Sequence, residues 1–213
     1  MEFQTFLTKI LLFNIVDRNL HFDGIAAQLK MTPKERLHFD LTKIKDAKKA
    51  AVLALFYPNV TNETCFLLTL RANYKGAHAS QISFPGGKKK LNESLQDAAL
   101  RETQEEVGIN SKNIKLIKSL NKTYIPPSNF LVTPYIGILK KTPLFVKNYE
   151  VKELLEIKLK DLFEDTNLTT KTLSTSYMNA VSVPCFKFGS HIVWGATAMI
   201  LNEIKELFTY TFD

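Results

Sequence analysis

Glu102, Glu105 and Glu106 fall within five residues of one another, directly after Arg101, and no lysine stands between Asp97 and Gly108. On a helix, at about 100° per residue, Glu102 and Glu106 share a face one turn apart and Glu105 lies beside them. Carboxylates crowded on one turn repel each other. A solvated helix face normally intersperses lysines, and this one does not. A hard divalent cation such as Mg²⁺ would neutralise the crowding through carboxylate oxygens. It would bring Lewis-acid and water-activating chemistry with it. Arg101, four residues before Glu105, is spaced to pair with it and fix its orientation. The competing reading is an exposed acidic helix, because short charge patterns are common.

The helix that must carry these residues can be read from its ends. Ser94 with Asp97 three residues on forms a capping box. Leu95 to Val107 contains neither Gly nor Pro, and Gly108 stands where a helix usually stops. Ala99, Thr103 and Val107 make a modestly apolar stripe that can pack inward. Around this helix the chain reads mainly as strands. Residues 50–57 form a continuous apolar run closed by Pro58, and 65–71 form a second strand, antiparallel to the first through the turn at 59–63. Further strands are expected over 81–84, 114–120, 131–139, 154–158, 182–188 and 191–194. Sharp breaks fall at Pro85-Gly86-Gly87, Pro126-Pro127 and Gly189-Ser190. Phe3, Phe6, Leu7, Ile10, Leu11 and Ile15 recur at helical spacing, and Ala198, Leu201, Ile204, Lys205 and Phe208 share one face of a last helix. Strands around one helix in the middle and another at the end predict an α+β domain with a mixed sheet between helices. Residues 18–47 are mixed and polar, and only Pro33-Lys34-Glu35-Arg36 could start a helical turn. Residues 1–47 are therefore expected as a helical extension packed on a core formed by 48–213.

A chain of 213 residues with 45% hydrophobic content can bury one sizeable core, which excludes the disordered class. The net charge of +7 fits either a lysine-rich habit or attraction of a polyanion, such as a phosphorylated small molecule or nucleic acid. No RNA-binding motif or aromatic–basic repeat supports nucleic acid. Cys65 and Cys185 lie in apolar runs and are expected as reduced, buried thiols, and no CxxC or Cys/His cluster points to zinc. The apolar run at 10–16 is broken by Asn14 and lacks a basic leader, and no stretch approaches the roughly 18 apolar residues of a spanning helix. These features predict a cytoplasmic protein with no membrane partner.

Gly87, five residues, Glu93, seven residues, then Arg101-Glu102-Thr103-x-Glu105-Glu106-x-Gly108-Ile109 resembles the signature box of the Nudix hydrolases at every fixed position, with Thr103 where an aliphatic residue is common. Just upstream, Leu67-Leu68-Thr69-Leu70-Arg71 is followed by a basic loop with Lys75 and His78 and by Gln81-Ile82-Ser83-Phe84-Pro85-Gly86-Gly87. That stretch resembles the motif of the family's coenzyme A pyrophosphatase branch, except that Ser80 stands where the branch usually has Gly. Tyr124 through Pro134 and Trp194-Gly195-Ala196-Thr197 are similar to further parts of the branch, so the likeness covers roughly residues 48 to 208.

The resemblance implies a Nudix-type α/β/α sandwich over 48–213. It implies hydrolysis of a diphosphate linked to a nucleoside, with coenzyme A giving 4′-phosphopantetheine and adenosine 3′,5′-bisphosphate. It also implies Mg²⁺ or Mn²⁺ held by Glu102, Glu106 and Glu105, with Arg101 orienting Glu105 and Glu93 bracing the loop before the helix. The general base would be a box glutamate or one of Glu150 and Glu153, of which Glu153 is preferred. Arg71 is expected to grip a phosphate with both prongs of its guanidinium, Lys75 and His78 to add charge, and Gly86 and Gly87 to admit the diphosphate close to backbone. The competing functions are the same fold acting on NADH or ADP-ribose, and a nucleotide-binding module without turnover. The expected partner is a small molecule, and a homodimer is left open.

Overall fold

The computed structural model describes residues 1–16, 22–33, 41–72, 81–175 and 178–212. Helices α1 (Phe3–Val16) and α2 (Gly24–Leu29) come first. Strands β1 (Lys48–Pro58), β2 (Thr64–Arg71), β3 (Ile82–Ser83) and β4 (Gly86–Lys88) lead into α3 (Leu95–Val107). Strands β5 (Lys115–Ser119), β6 (Thr123–Ile125), β7 (Phe130–Ile138) and β8 (Val151–Lys158) precede the short α4 (Leu159–Phe163). A three-stranded sheet of β9 (Leu168–Thr175), β10 (Met178–Phe188) and β11 (His191–Trp194) runs into α5 (Gly195–Phe212). Among the described residues no helix is long and apolar enough to cross a membrane.

The run at 50–57 is apolar at every position because both faces of β1 are covered. Ala51, Leu53, Leu55 and Tyr57 pack with Ala98, Ala99 and Val107 of α3. Ala54 and Phe56 turn the other way, onto Phe6 of α1 and Phe208 of α5. The Phe56 ring lies 5.2 Å from that of Phe6 and 5.5 Å from that of Phe208. β2 repeats the alternation, with Cys65 and Leu67 toward α3 and Phe66 and Leu68 toward the terminal helices. The result is a helix–sheet–helix sandwich, and the sheet is mixed: β7 runs parallel to β1 from Lys48↔Phe130 to Phe56↔Ile138, while its other neighbours are antiparallel. This is the α+β architecture expected from the order of elements. Cys65 and Cys185 are buried and unbridged.

The sheet parts where the cavity lies. β1 and β2 pair only from Phe56↔Phe66 to Pro58↔Thr64. Beyond that, β1 gives its freed edge to β4 (Ala50↔Lys88 to Val52↔Gly86) and β2 gives its own to β3 (Thr69↔Ser83, Leu70↔Ile82). Pro85 thus lies in the joint between two short strands, and Gly86-Gly87, expected as part of a break, begin β4.

The extension also holds structure that its composition hides. α2 has six residues and is fixed by a buried polar network. Glu203 of α5 is 1% exposed, and its Oε2 accepts from Gln28 Nε2 at 2.6 Å. Its Oε1 accepts from the Asn121 backbone N–H at 2.9 Å and from Asn121 Nδ2 at 2.8 Å. Gln28 Oε1 in turn accepts from Thr123 Oγ1 at 2.9 Å. Gly24 fits tightly beneath: a Cβ there would stand 2.2 Å from Asn121 Nδ2 and 2.4 Å from Glu203 Oε1. Glu203→Ala should therefore cost about 2–4 kcal/mol, because three donors, one buried and two partly buried, lose a charged acceptor. Gly24→Ala should cost about 1–3 kcal/mol by forcing the same network apart. Urea unfolding measures both, and a loss under about 0.5 kcal/mol for Glu203→Ala would mean that water replaces the carboxylate.

Candidate active site

α3 is set by the ends that its sequence announces. Ser94 Oγ accepts from the Asp97 backbone N–H at 3.1 Å, and the Ser94 N–H donates back to Asp97 Oδ2 at 3.2 Å. Gly108 closes the helix at φ 75°, its N–H donating to the Gln104 carbonyl at 3.1 Å. Thr103 faces the core without penalty, since its hydroxyl donates to the Ala99 carbonyl at 2.7 Å. With that stripe inward, Glu106 is drawn to 6% exposure while Glu102 and Glu105 stay on the rim. These acids sit at the negative end of the helix dipole, and the last turn carries no basic residue.

Two arginines answer the charge. Arg101 grips Glu93 bidentately, Nε to Oε2 at 3.0 Å and Nη2 to Oε1 at 2.8 Å. Its Nη1 reaches Glu102 Oε1 at 2.7 Å and Glu105 Oε2 at 3.0 Å. It thus orients three carboxylates, where the spacing alone indicated Glu105. That guanidinium, with the Lys90 N–H, holds the Glu93 carboxyl down at about 2. Arg71, at the end of β2, places Nη2 2.9 Å from Glu150 Oε2 and Nη1 4.0 Å from Glu106 Oε1. Burial pushes the Glu106 carboxyl up to about 7, against the pull of the Gly86 N–H and of Arg71, with Glu102 and Glu150 adding to the rise.

Backbone positions the remaining parts. Gly86 adopts φ 151° and donates its N–H to Glu106 Oε2 at 3.1 Å, and a Cβ there would lie 2.4 Å from the Ala51 carbonyl. A Cβ at Gly87 would lie 2.6 Å from the Glu102 carboxyl carbon. Glu150 comes from a distant loop that is tied to the end of α3. The Val146 N–H donates to the Val107 carbonyl at 3.0 Å and the Asn148 N–H to the Glu106 carbonyl at 3.1 Å. Asn148 Oδ1 then accepts from the Glu150 N–H at 2.9 Å.

These groups line one cavity of about 570 Å³. One wall holds Glu102, Glu105, Glu106, Glu150, Arg71, Arg101, Lys88 and Lys90, with Gly86 and Gly87 between them. Ile82, Phe84, Ile125, Phe130, Val132 and Trp194 make an apolar wall. Lys48 Nζ stands 5.8 Å from the centre of the Phe130 ring. Glu153 does not line the cavity: its carboxylate meets His191 Nε2 at 3.3 Å. Glu150 is the later carboxylate that does. Lys75, His78 and Ser80 fall outside the described residues. The donor set suits a hard cation, since Glu102 and Glu106 offer carboxylate oxygens on the cavity wall. Among the described residues no three Asp, Glu, His or Cys side chains form a ready-made metal cage.

Glu106 gives the site a signature in pH. Its folded-state value of about 7 lies above the ordinary 4.5, so the folded chain keeps a proton that the unfolded chain releases across that window. Stability from this group therefore falls as pH rises from 4.5 to 7. In a chelator, Glu106→Gln should unfold at higher urea than the parent at pH 8, by up to about 3 kcal/mol, and gain nothing at pH 4.5. An equal gain at both pH values would assign the effect to packing.

A NUDIX domain profile matches residues 47–162. The chain is 32% identical over 185 residues to the Nudix hydrolase NudL of Pectobacterium atrosepticum, covering 83% of this chain and 88% of that one. It is 28% identical over 163 residues to the peroxisomal coenzyme A diphosphatase ndx-8 of Caenorhabditis elegans, covering 75% of this chain and 68% of that one. Among solved structures, a Nudix hydrolase from M. smegmatis, RenU, aligns with a TM-score of 0.54 at 17% identity, over 77% of this chain and 87% of that one, a likeness of fold alone. With the box residues gathered on one cavity wall and the profile spanning more than half of its length, the chain belongs to the Nudix hydrolase family.

Proposed function

We propose that the chain hydrolyses the diphosphate bond of coenzyme A or its derivatives, giving 4′-phosphopantetheine and adenosine 3′,5′-bisphosphate. One observation carries the reading: four carboxylates, two guanidiniums and the side-chain-free backbone of Gly86 and Gly87 share one wall of the cavity. Nudix hydrolases generally use divalent metals such as Mg²⁺ or Mn²⁺. In this reading Glu102 and Glu106, with Glu105 beside them, hold such a cation, which when bound offsets phosphate charge and lowers the pKa of water. The chain's own residues do the rest. Arg101 keeps Glu102 and Glu105 aimed. Gly86 and Gly87 admit the diphosphate close to backbone. Arg71 engages a phosphate oxygen, and Glu150 takes the proton from the attacking water. Ile125, Phe130 and Trp194 receive the uncharged part of the substrate.

Coenzyme A is favoured over other nucleoside diphosphates by the signature running from Leu67 to Gly87 and by the name of the relative ndx-8. The lysines at the cavity, Lys88 and Lys90, suit a substrate with phosphate beyond its diphosphate. In this reading residues 1–47 are an extension braced on the catalytic domain at 48–213. The setting is reducing and cytoplasmic, in keeping with two unbridged thiols.

A panel of coenzyme A, acyl-coenzyme A, NADH and ADP-ribose with Mg²⁺ or Mn²⁺, with products identified, tests the substrate. Equal kcat/KM for all would leave a general Nudix hydrolase. Placement tests the base: Glu150→Gln should lower kcat by about 10²-fold or more, while Glu153→Gln stays within about twofold. The reverse order would return the role to Glu153.

A further inference from the structure

We infer that Arg71 is a resident counter-cation, holding Glu106 and Glu150 together in the metal-free chain and yielding them when a divalent cation binds. The inference rests on the reading of Glu106 as a metal ligand. Arg71 bridges two elements: Glu106 on α3, at 4.0 Å, and Glu150 on the loop before β8, at 2.9 Å. A cation held by Glu106 would compete with the guanidinium for that carboxylate and, by displacing it, would leave Glu150 free to take a proton. Glu106 is buried, with one oxygen occupied by the Gly86 N–H at 3.1 Å, so its remaining oxygen is the one both cations would seek. A divalent ion and a guanidinium sharing that oxygen repel each other, and the burial of Glu106 weakens the screening between them.

The two arginines differ in kind. Arg101 also touches Glu102 and Glu105, but its bidentate grip on Glu93, which does not line the cavity, anchors it and lets it stay through metal loading. Arg71 pairs with the site's own carboxylates and lies on the cavity wall, so displacement turns its fork toward an incoming phosphate. Metal binding then arms substrate binding: the ion that takes the carboxylates releases the group that grips the phosphate.

The test is Mn²⁺ binding to the full chain without substrate, followed by the electron paramagnetic resonance signal of the free ion. Arg71→Gln should bind Mn²⁺ about five- to tenfold more tightly than the parent, because a competing cation is gone. Arg71→Lys keeps the charge and should stay near the parent, and a circular dichroism melt in chelator confirms that both variants fold. Unchanged or weaker binding by Arg71→Gln overturns the inference and makes Arg71 an organiser of the site. Equal tightening in Arg71→Lys also overturns it, since charge would not be what competes. If the parent takes up no Mn²⁺ at millimolar concentration, the metal reading of Glu106 falls first and the inference with it.

Discussion

Glu102, Glu105 and Glu106 occupy the last two turns of α3, where unpaired carbonyls already present the negative end of the helix dipole. Left alone, such a helix end would be destabilised by its own charge. The surrounding chain is arranged around that fact. Arg101 ties the rim carboxylates to Glu93, Arg71 approaches the buried one from β2, and the N–H groups of Val146 and Asn148 cap the terminal carbonyls. Each countermeasure also aims a group into the cavity, so stabilising the helix and building the site are the same act.

The parted sheet gives this chemistry its room. Had β1 and β2 paired along their whole length, backbone would fill the space beneath α3. They diverge after three residue pairs, and β3 and β4 take the two freed edges. Both freed edges thus gain backbone partners while a cavity opens beside them. Gly86 and Gly87 sit at that opening, where a side chain would strike either the β1 backbone or the Glu102 carboxylate.

Much of this is written locally in the chain. The capping box, the Gly-free run and Gly108 define α3 to the residue, because helix ends are set by neighbours in sequence. The apolar runs of β1 and β2 likewise declare strands buried on both faces. What escaped depends on distant partners. β4 forms because β1 offers an edge, against the breaking tendency of Pro85-Gly86-Gly87. The threonine-rich β9 takes its order from pairing with β10, and α2 takes its order from Glu203, some 175 residues away. The placement of Glu150 against Glu153 turns on a shift of register between Leu70 and Arg71, where β2 meets β8. No spacing of residues reveals such a slip.

The tether at Asn148 separates what must be kept from what can drift. Glu150 is carried by backbone hydrogen bonds from residues 146 and 148 to the end of α3 and by one Asx turn, in which Asn148 Oδ1 receives the Glu150 N–H. Those contacts ask nothing of the side chains between Leu139 and Phe145. That segment can lengthen, shorten or change composition across descendants of this sequence while the carboxylate keeps its station. Between Asn148 and Glu150 the opposite holds: one inserted residue would carry the acid out of the cavity. Evolutionary latitude and strict count therefore lie side by side within a dozen residues, and the boundary between them is a single asparagine.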